Sequence, residues 1–560
     1  MDSQTLMQRF GFLVTERSTA EERWDTIRAY IAPYRGEFFA VVDSENAVDL
    51  ESGEIFDGTA LQSAQVLASN LHGNLTSAYV QWFALSFRDS KLNDDPDARE
   101  WLEECGEAVW RALNESNFSH EIAENYLDLT TFASTFIFAE AGEEPGEIIF
   151  QALPLKQCYF EEGPSGGISH FYRWLRWTPL QLLEKFGEGS LPPDIADKAK
   201  GAQASATKED VIFCIYPRKG KKRPAGRRLP PARRAWGAKY MLKRSNEMLG
   251  KEIGYYEMPV FVSHWAKVSE SKWGHGPSHV AIYDVQALNR QEMLTLNALE
   301  KVIDPPQKAT ERGIIGDLDL RASGLTIVRS MDELKPMTFG TEWNVVDMQR
   351  DNRRAMIREY YMISRLDLKE SPAMTATEVE RRWQQMQKLL GPTLGRIQTG
   401  LLAPVIETVF MILMRAGRLP EPPGAVMQGA ELDIEYTGPL PVAQKADVAA
   451  AIERELGLAA NLAATYGPEV LDAVDATKAL QEHARITAVP AKILRSDLEI
   501  RKLRKDREAA AAEAKQMEQL SQGAAAAKDL AGAAAAMPAD TGSSGQEAGN
   551  VIQMPGMQQK

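Results

Sequence analysis

Cysteine is nearly absent from this chain of 560 residues: only Cys105, Cys158 and Cys214 occur, far apart and without CxxC spacing. That excludes a disulfide framework and a cysteine-based zinc site, and it points to a reducing compartment. The sequence has no GxxxxGK[ST] phosphate loop, no GxSxG elbow and no HExxH metal helix, so the common NTPase, hydrolase and metalloprotease chemistries lack their residues. His275 and His279 stand four apart, but Gly274, Gly276 and Pro277 break the helix that would align them as metal ligands. No catalytic residue, metal site or cofactor is expected. The N-terminus bears charge from Asp2 onward and lacks a basic start followed by an apolar run, which argues against a signal peptide. The most apolar window, Leu401 to Met414, is too short for a bilayer and contains Pro404 and Glu407. It reads as a buried helix, and no membrane partner is expected.

What is present is a globular composition, 44% hydrophobic and 25% charged, on a chain longer than one hydrophobic core normally serves. Several packed regions are therefore expected. The formal net charge of -14 opposes a general nucleic-acid coat, so any DNA contact must be local or weak. The first third reads as mostly helical. Leu61, Ala64, Leu67, Ala68 and Leu71 form one stripe, and Trp101, Leu102, Cys105, Val109 and Ala112 form another. From Ala139 to Trp177, Gly and Pro punctuate short runs that suit strands, at Glu147 to Phe150, Cys158 to Phe160 and Ile168 to Leu175.

Between Arg218 and Arg244 lie twelve basic residues and no acidic ones, broken by Pro224, Pro230 and Pro231. Arg218, Lys221, Lys222, Arg223, Arg227, Arg228, Arg233 and Arg234 could neutralise DNA phosphates. The preferred reading is a solvated loop between strands Val211 to Tyr216 and Tyr255 to Val262, because only Trp236 and Tyr240 supply interleaved aromatics. Pro277 to Ile303 then predicts a long helix, stopped by Asp304, Pro305 and Pro306. A small β-containing excursion follows, with Leu325, Ile327 and Val328 as its strand. A second helix returns over Thr341 to Ile363, with Val345, Met348, Met356, Ile357 and Tyr360 as its apolar set. Thr375 and Glu378 form a capping box for a further long helix, kinked where Gly391 and Pro392 interrupt it and ending near Gly417. Helices continue from Pro441 to about Gln519, and the stretch from Gly523 onward, without aromatics, reads as a flexible tail.

Several of these stretches together resemble the head-to-tail connector, or portal, family of podovirus-type bacteriophages over residues 5–510. The resemblance rests on Phe56-Asp57-Gly58-Thr59-Ala60 leading to Trp82-Phe83, and on Tyr255-Tyr256-Glu257-Met258-Pro259 leading to Gly274 through Pro277. Downstream it rests on Arg365-Leu366-Asp367-Leu368, Met374 through Val379, Leu390-Gly391-Pro392, and Tyr436-Thr437-Gly438-Pro439-Leu440. Gly58, where relatives are expected to carry serine, and the basic insertion depart from the pattern.

The resemblance implies a mainly α chain with α+β parts and a portal fold that assembles into a dodecameric ring. Residues 1–276 would form the wing, 277–303 and 341–363 the stem helices, and 304–340 the clip. Residues 364–374 would be the tunnel loop, with Arg365, Asp367, Lys369 and Glu370 facing DNA. The kinked helix 375–417, a wing and crown part 418–492, a C-terminal barrel helix 493–522 and the tail 523–560 complete the chain. The implied role is non-enzymatic: a channel at one capsid vertex of the virion for packaging and ejecting double-stranded DNA, built in the host cytoplasm. The implied partners are other copies of the chain, DNA, terminase, tail adaptor and nozzle proteins, capsid and scaffolding proteins, and internal core proteins. The competing readings are a DNA-processing enzyme that holds substrate with the basic loop, and a minor capsid or tail structural protein.

Overall fold

The structure, a computed structural model, describes residues 2–35, 55–88, 95–164, 166–201, 204–218, 229–269, 271–303, 307–309, 334–336, 343–363, 391–423, 432–436, 439–467, 469, 473–486, 500, 502–515 and 517. Two compact units divide the chain at Ala491 and Lys492. In the second unit, residues 502–515 are helical and, apart from the half-buried Leu503, exposed. Everything below concerns the first.

Helix α1 (Ser3–Ile31) runs from one side of a five-stranded antiparallel sheet into the main core. The sheet has the order β4 (Cys158–Glu162), β5 (Ile168–Trp177), β6 (Glu209–Pro217), β7 (Trp236–Leu242), β8 (Met248–Tyr255). Alternation of side chains gives it two buried faces. Tyr159, Tyr172, Ile212, Cys214 and Met241 meet Leu6, Phe10 and Leu13 of α1, while Phe160, Phe171, Phe213, Ile215 and Leu242 join the main core.

Between its two apolar ends, α1 places Arg17 in the same stripe, 2% exposed. The guanidinium is fully used. It donates to the carbonyls of Leu155 (3.1 Å), Cys158 (2.7 Å) and Lys156 (2.8 Å), pairs with Glu21, and lies 3.6 Å over the Tyr159 ring. It thereby satisfies the carbonyls of the single 3-10 turn that leads into β4.

The second layer is a three-stranded sheet, β3 (Ile148–Leu153), β2 (Ser134–Ala141), β9 (Val260–His264), with β2 in the centre. Helices α2 (Thr59–Leu75), α3 (Pro96–Glu115) and α4 (Phe118–Phe132) pack beside it. The expected stripes on α2 and α3 are buried, apart from Leu61 and Ala112, which are partly exposed. Strand β1 (Phe83–Phe87) pairs with β12 (Leu432–Tyr436), 345 or more residues away in sequence, in an antiparallel ladder.

Two expectations around the basic segment are corrected. Residues 236–242 are not loop: Trp236–Leu242 is β7, paired on both edges, with Ala238 and Leu242 in the main core, and Lys243 and Arg244 begin the turn after it. The basic residues around it hid a strand that is buried on both faces. Nor is Tyr255 to Val262 one strand: β8 ends at Tyr255 and β9 starts at Val260 in the other sheet. Pro259, which has no amide to donate, sits at the crossing and lends its carbonyl to Ala139 at 2.8 Å.

Helix α7 (Pro277–Ile303) occupies the range read from the sequence, after the short helices α5 (Pro179–Phe186) and α6 (Pro193–Lys200). Beyond it, β10 (Gln307–Ala309) pairs with β11 (Leu334–Pro336), and α8 (Trp343–Tyr360) returns along α7. Residues Leu325, Ile327 and Val328 lie outside the described residues, as does the capping box at Thr375.

The described part of helix α9 (Gly391–Ala416) has 26 residues, falls within the helix expected over 375–417, and is apolar enough by length and composition to cross a membrane. Its Leu401, Leu402, Val405, Ile406, Val409 and Phe410 are instead buried in the main core. Gly391 and Pro392 begin its described part, so the kink expected there falls at the edge of the described residues. Within α9 the departure from α geometry is a π turn at Gln398–Leu402. Pro404 explains it: proline has no amide for the Gly400 carbonyl and its ring crowds that turn. Gly400 also lies against β9, where an added Cβ would stand 3.0 Å from the Val262 carbonyl. Helices α10 (Pro439–Tyr466) and α11 (Ala476–Ile486) pack on each other.

Replacing Arg17 with alanine strands Glu21 and takes a donor from three carbonyls in a buried site, which costs about 3–5 kcal/mol. The expected outcome is a clear drop in the thermal unfolding midpoint of Arg17→Ala, measured by calorimetry, against little change for the exposed Phe12→Ala.

Candidate functional site: an anchored helix pair

The paired strands β10 and β11 lie between α7 and α8 in the chain, and polar side chains of the body converge on the two helices. The convergence starts at the Phe56-Asp57-Gly58-Thr59 segment that opens α2. Asp57 Oδ1 accepts the Thr59 amide at 2.9 Å, while Oδ2 accepts from Arg354 Nε of α8 at 2.8 Å. The same guanidinium donates to Glu292 of α7 at 2.8 Å, and the Phe56 amide donates to Asn289 Oδ1 of α7 at 2.7 Å. One arginine thus ties the start of α2 to both helices of the pair.

Further along, Asp284 of α7 accepts from Arg353 at 3.2 Å and from the Tyr360 hydroxyl at 2.9 Å. Arg350 stands 3.4 Å from Glu292. Burial works against ionising Asp57, but the hydrogen bonds from Thr59 and Arg354 and the charge of Arg354 outweigh it and hold the carboxyl below its usual range.

The N-terminal end of α7 is set by close backbone approach. Ala133, in the left-handed region at φ 59°, ends α4, and its carbonyl accepts the Trp265 amide. Gly274 lies so near that a Cβ would come 2.1 Å from that carbonyl, and its own amide donates to Ser134 Oγ at 2.9 Å. Only glycine fits there. Ser278 Oγ then donates to the Thr130 carbonyl at 2.9 Å and lies 2.7 Å from the Tyr361 hydroxyl just past α8. His264, at 3.0 Å from Ser134 Oγ, is pushed down to about 4, chiefly by burial.

The histidines read as a weak ligand pair stand with ring centroids 5.1 Å apart, His279 in the first turn of α7 and His275 before it. Burial, with His275 and Arg23 nearby, pushes His279 down to about 4. Among the described residues no group of three or more His, Cys, Asp or Glu is placed to hold a metal ion.

Of the basic segment, Lys221, Lys222, Arg223, Arg227 and Arg228 lie outside the described residues. Arg218 is not directed to solvent: its side chain is 12% exposed, ion-pairs with Glu252 and donates to the carbonyls of Pro231 and Arg234. Arg234 donates to the Leu229 and Gly254 carbonyls and lies 4.5 Å over the Tyr256 ring, which Arg415 also approaches at 4.4 Å. Arg233 is exposed. Two of the four described arginines of the segment thus build the base of the loop, and Arg244 pairs with Asp194 beyond it. Arg365, Asp367, Lys369 and Glu370 lie outside the described residues. Arg354 and Glu292 were not singled out in the sequence, although Asp57 belonged to a motif that was.

The charged side chains described here join α2, α7 and α8 to one another. The model of the family "Bacteriophage head to tail connecting protein" matches residues 3–494, and the chain belongs to that family. It is 26% identical over 549 residues to the "Probable portal protein" of Bordetella phage BPP-1, covering 94% of this chain and 95% of that one. It is 25% identical over 535 residues to the "Portal protein" of Salmonella phage epsilon15, covering 92% and 94%. Solved structures it resembles include the "Virion of native gene transfer agent (GTA) particle", at 10% identity and a TM-score of 0.35 over 77% of this chain and 90% of that one. Another is the "Neck of empty GTA particle computed with C6 symmetry", at 10% identity and a TM-score of 0.37 over 72% and 89%.

Because the folded-state acidity of Asp57 is increased, its contribution to stability is present above the ordinary aspartate range near pH 4 and is lost as pH falls below it. Arg354→Ala should remove the same contribution at neutral pH. Hydrogen exchange should then show faster opening of α7 and α8 in the variant at pH 7 and in the parent protein below about pH 4, with the β6–β7 ladder still protected.

Proposed function

We propose that the chain is a portal subunit: a non-enzymatic ring component at one capsid vertex, through which double-stranded DNA is packaged and ejected. The observation that carries this reading is the family match over residues 3–494, which includes the whole anchored helix pair. In this reading α7 and α8 are the stem, residues 304–340 the clip that docks terminase and later the tail adaptor, and residues 364–374 the tunnel loop. Heterologous contacts between identical copies close into a ring when the rotation per copy divides the circle, here twelvefold. A net charge of -14 per copy makes the ring acidic, so the duplex is repelled from the wall and slides. Terminase supplies the ATP hydrolysis, since the chain has no phosphate loop of its own.

Purified protein should scatter light as an assembly of about twelve copies and should neither hydrolyse ATP nor cut DNA. A monomer with divalent-dependent nuclease activity would overturn the reading. Within it, Arg365 and Lys369 make transient phosphate contacts that resist back-slippage. The double variant Arg365→Glu, Lys369→Glu should assemble and dock normally but retain less packaged DNA. Normal retention would return the loop to a plain interhelical connection.

A further inference from the structure

One buried charge of the body is poorly compensated. Asp128, on α4, is 5% exposed, and among the described residues its carboxylate accepts no hydrogen bond. Its one cation is Arg35, whose Nε stands 2.9 Å from Oδ1 but is turned so that no hydrogen bond forms. The rest of that guanidinium serves Glu124, one helical turn earlier on α4: Nη1 stands 2.6 Å from Oε2, and Nη2 donates to the backbone carbonyl at 3.0 Å. Two carboxylates thus share one cation, and the buried one has the poorer share. Arg17 and Arg354, by contrast, meet their acceptors in hydrogen-bonding geometry. A buried carboxylate so placed is costly in its charged form, and a fold that keeps one holds a store of strain.

The strain falls at the exit of α1. Pro33–Arg35 is a single 3-10 turn after the C-cap Ala32, closed by the Arg35 amide on the Ala32 carbonyl at 3.0 Å. Lifting that turn carries Arg35 off α4 and admits water to Asp128. The groups that face Asp128 are Tyr34 and Arg35 after α1, Glu124 on its own helix and Cys158 of β4, while α2 contributes neutral Gln65, bonded to Tyr34. Burial raises Tyr34 and pushes Cys158 up to about 12, so of these groups only Arg35 and Glu124 are charged. The Glu124 side chain is 54% exposed, so water solvates it wherever Arg35 sits, and its loss of the cation costs little.

We infer that the Pro33–Arg35 turn is a built-in release point, seated on α4 while Asp128 is neutral and lifted more readily once Asp128 is charged. The inference is independent of the ring reading. Burial, opposed by Arg35 and aided by Glu124, pushes the Asp128 carboxyl up to about 6. A carboxyl raised in the seated state favours that state when protonated. The preference is therefore fully present below the ordinary aspartate range near pH 4 and is lost as pH rises through about 6. Asp57 has the opposite sign, since its carboxyl is held below the usual range. The chain between Arg35 and Phe56 thus has one end that loosens and one that tightens as pH rises. At neutral pH the anchor on α7 and α8 is shut while the exit of α1 is loaded.

The test is hydrogen exchange of the full-length protein between about pH 5 and pH 8, read at the Ala32 and Arg35 amides, which bond the Arg28 and Ala32 carbonyls, and corrected for the intrinsic pH dependence of amide exchange. With Asp128 titrating at about 6 when seated and near 4 when wet, the opening constant should rise about tenfold across that range. In Asp128→Asn, which keeps the shape of the side chain and removes its charge, opening should be flat with pH and slower than in the parent protein at the alkaline end. Glu124→Gln, which leaves Arg35 to Asp128 alone, should shrink the rise, and it decides the matter if Asp128→Asn does not fold: an unchanged rise there overturns the inference. A flat profile in the parent protein overturns it too, as does opening that slows as pH rises, which would make the Arg35 pair an ordinary stabilising bridge. A folded Asp128→Asn variant that keeps the parent profile assigns the titration to another group and overturns it as well.

Discussion

The guanidinium of Arg354, held between Asp57 and Glu292, is the constraint on which the working part of the structure depends. From Leu294 onward no residue of α7 is buried, so the distal part of the pair gains little from the hydrophobic core of its own copy. The pair must be held at its base. A three-way ion pair with the hydrogen-bonded start of α2 does this directionally, which apolar packing alone would not. Breaking such a partly buried network costs about 3–5 kcal/mol, because the partner charges are left without compensation. On the other side, the Ala133 carbonyl and the glycines at 274 and 276 allow the backbone so near that α7 can enter at one place only. The two anchors lie several helical turns apart and act on the same element.

This arrangement explains why a member of the head-to-tail connecting family spends its buried polar groups as it does. Arg17 plays the corresponding part deeper in the body, stapling α1 to the turn before β4 with four hydrogen bonds to backbone and tyrosine. In both cases an arginine bridges segments remote in sequence, since its planar fork can serve several acceptors at once.

Legibility of these features in the sequence followed their locality. Helix α7 was readable because proline opens it and a proline pair closes it. The stripes of α2 and α3 were readable from spacing. Helix α1 was not, because Arg17 and Glu21 occupy core positions in its stripe and imitate a solvated helix. Strand β7 was hidden by the cations around it, and the change of sheet at Pro259 by a run of β-formers. Asp57 stood in a recognisable motif, but its partner is 297 residues away, and no local pattern links them. Met348 and Met356 belong to the apolar set read for α8 but are exposed, while Arg350, Arg353 and Arg354 reach Glu292, Asp284 and Asp57.

The most direct measurement is a reconstruction of the purified assembly by electron cryomicroscopy at side-chain detail. The account predicts a ring whose channel is walled by the α7–α8 pair, with Arg354 still bridging Asp57 and Glu292 in every copy. A channel lined by other elements, or a helix pair detached from the start of α2, would contradict it.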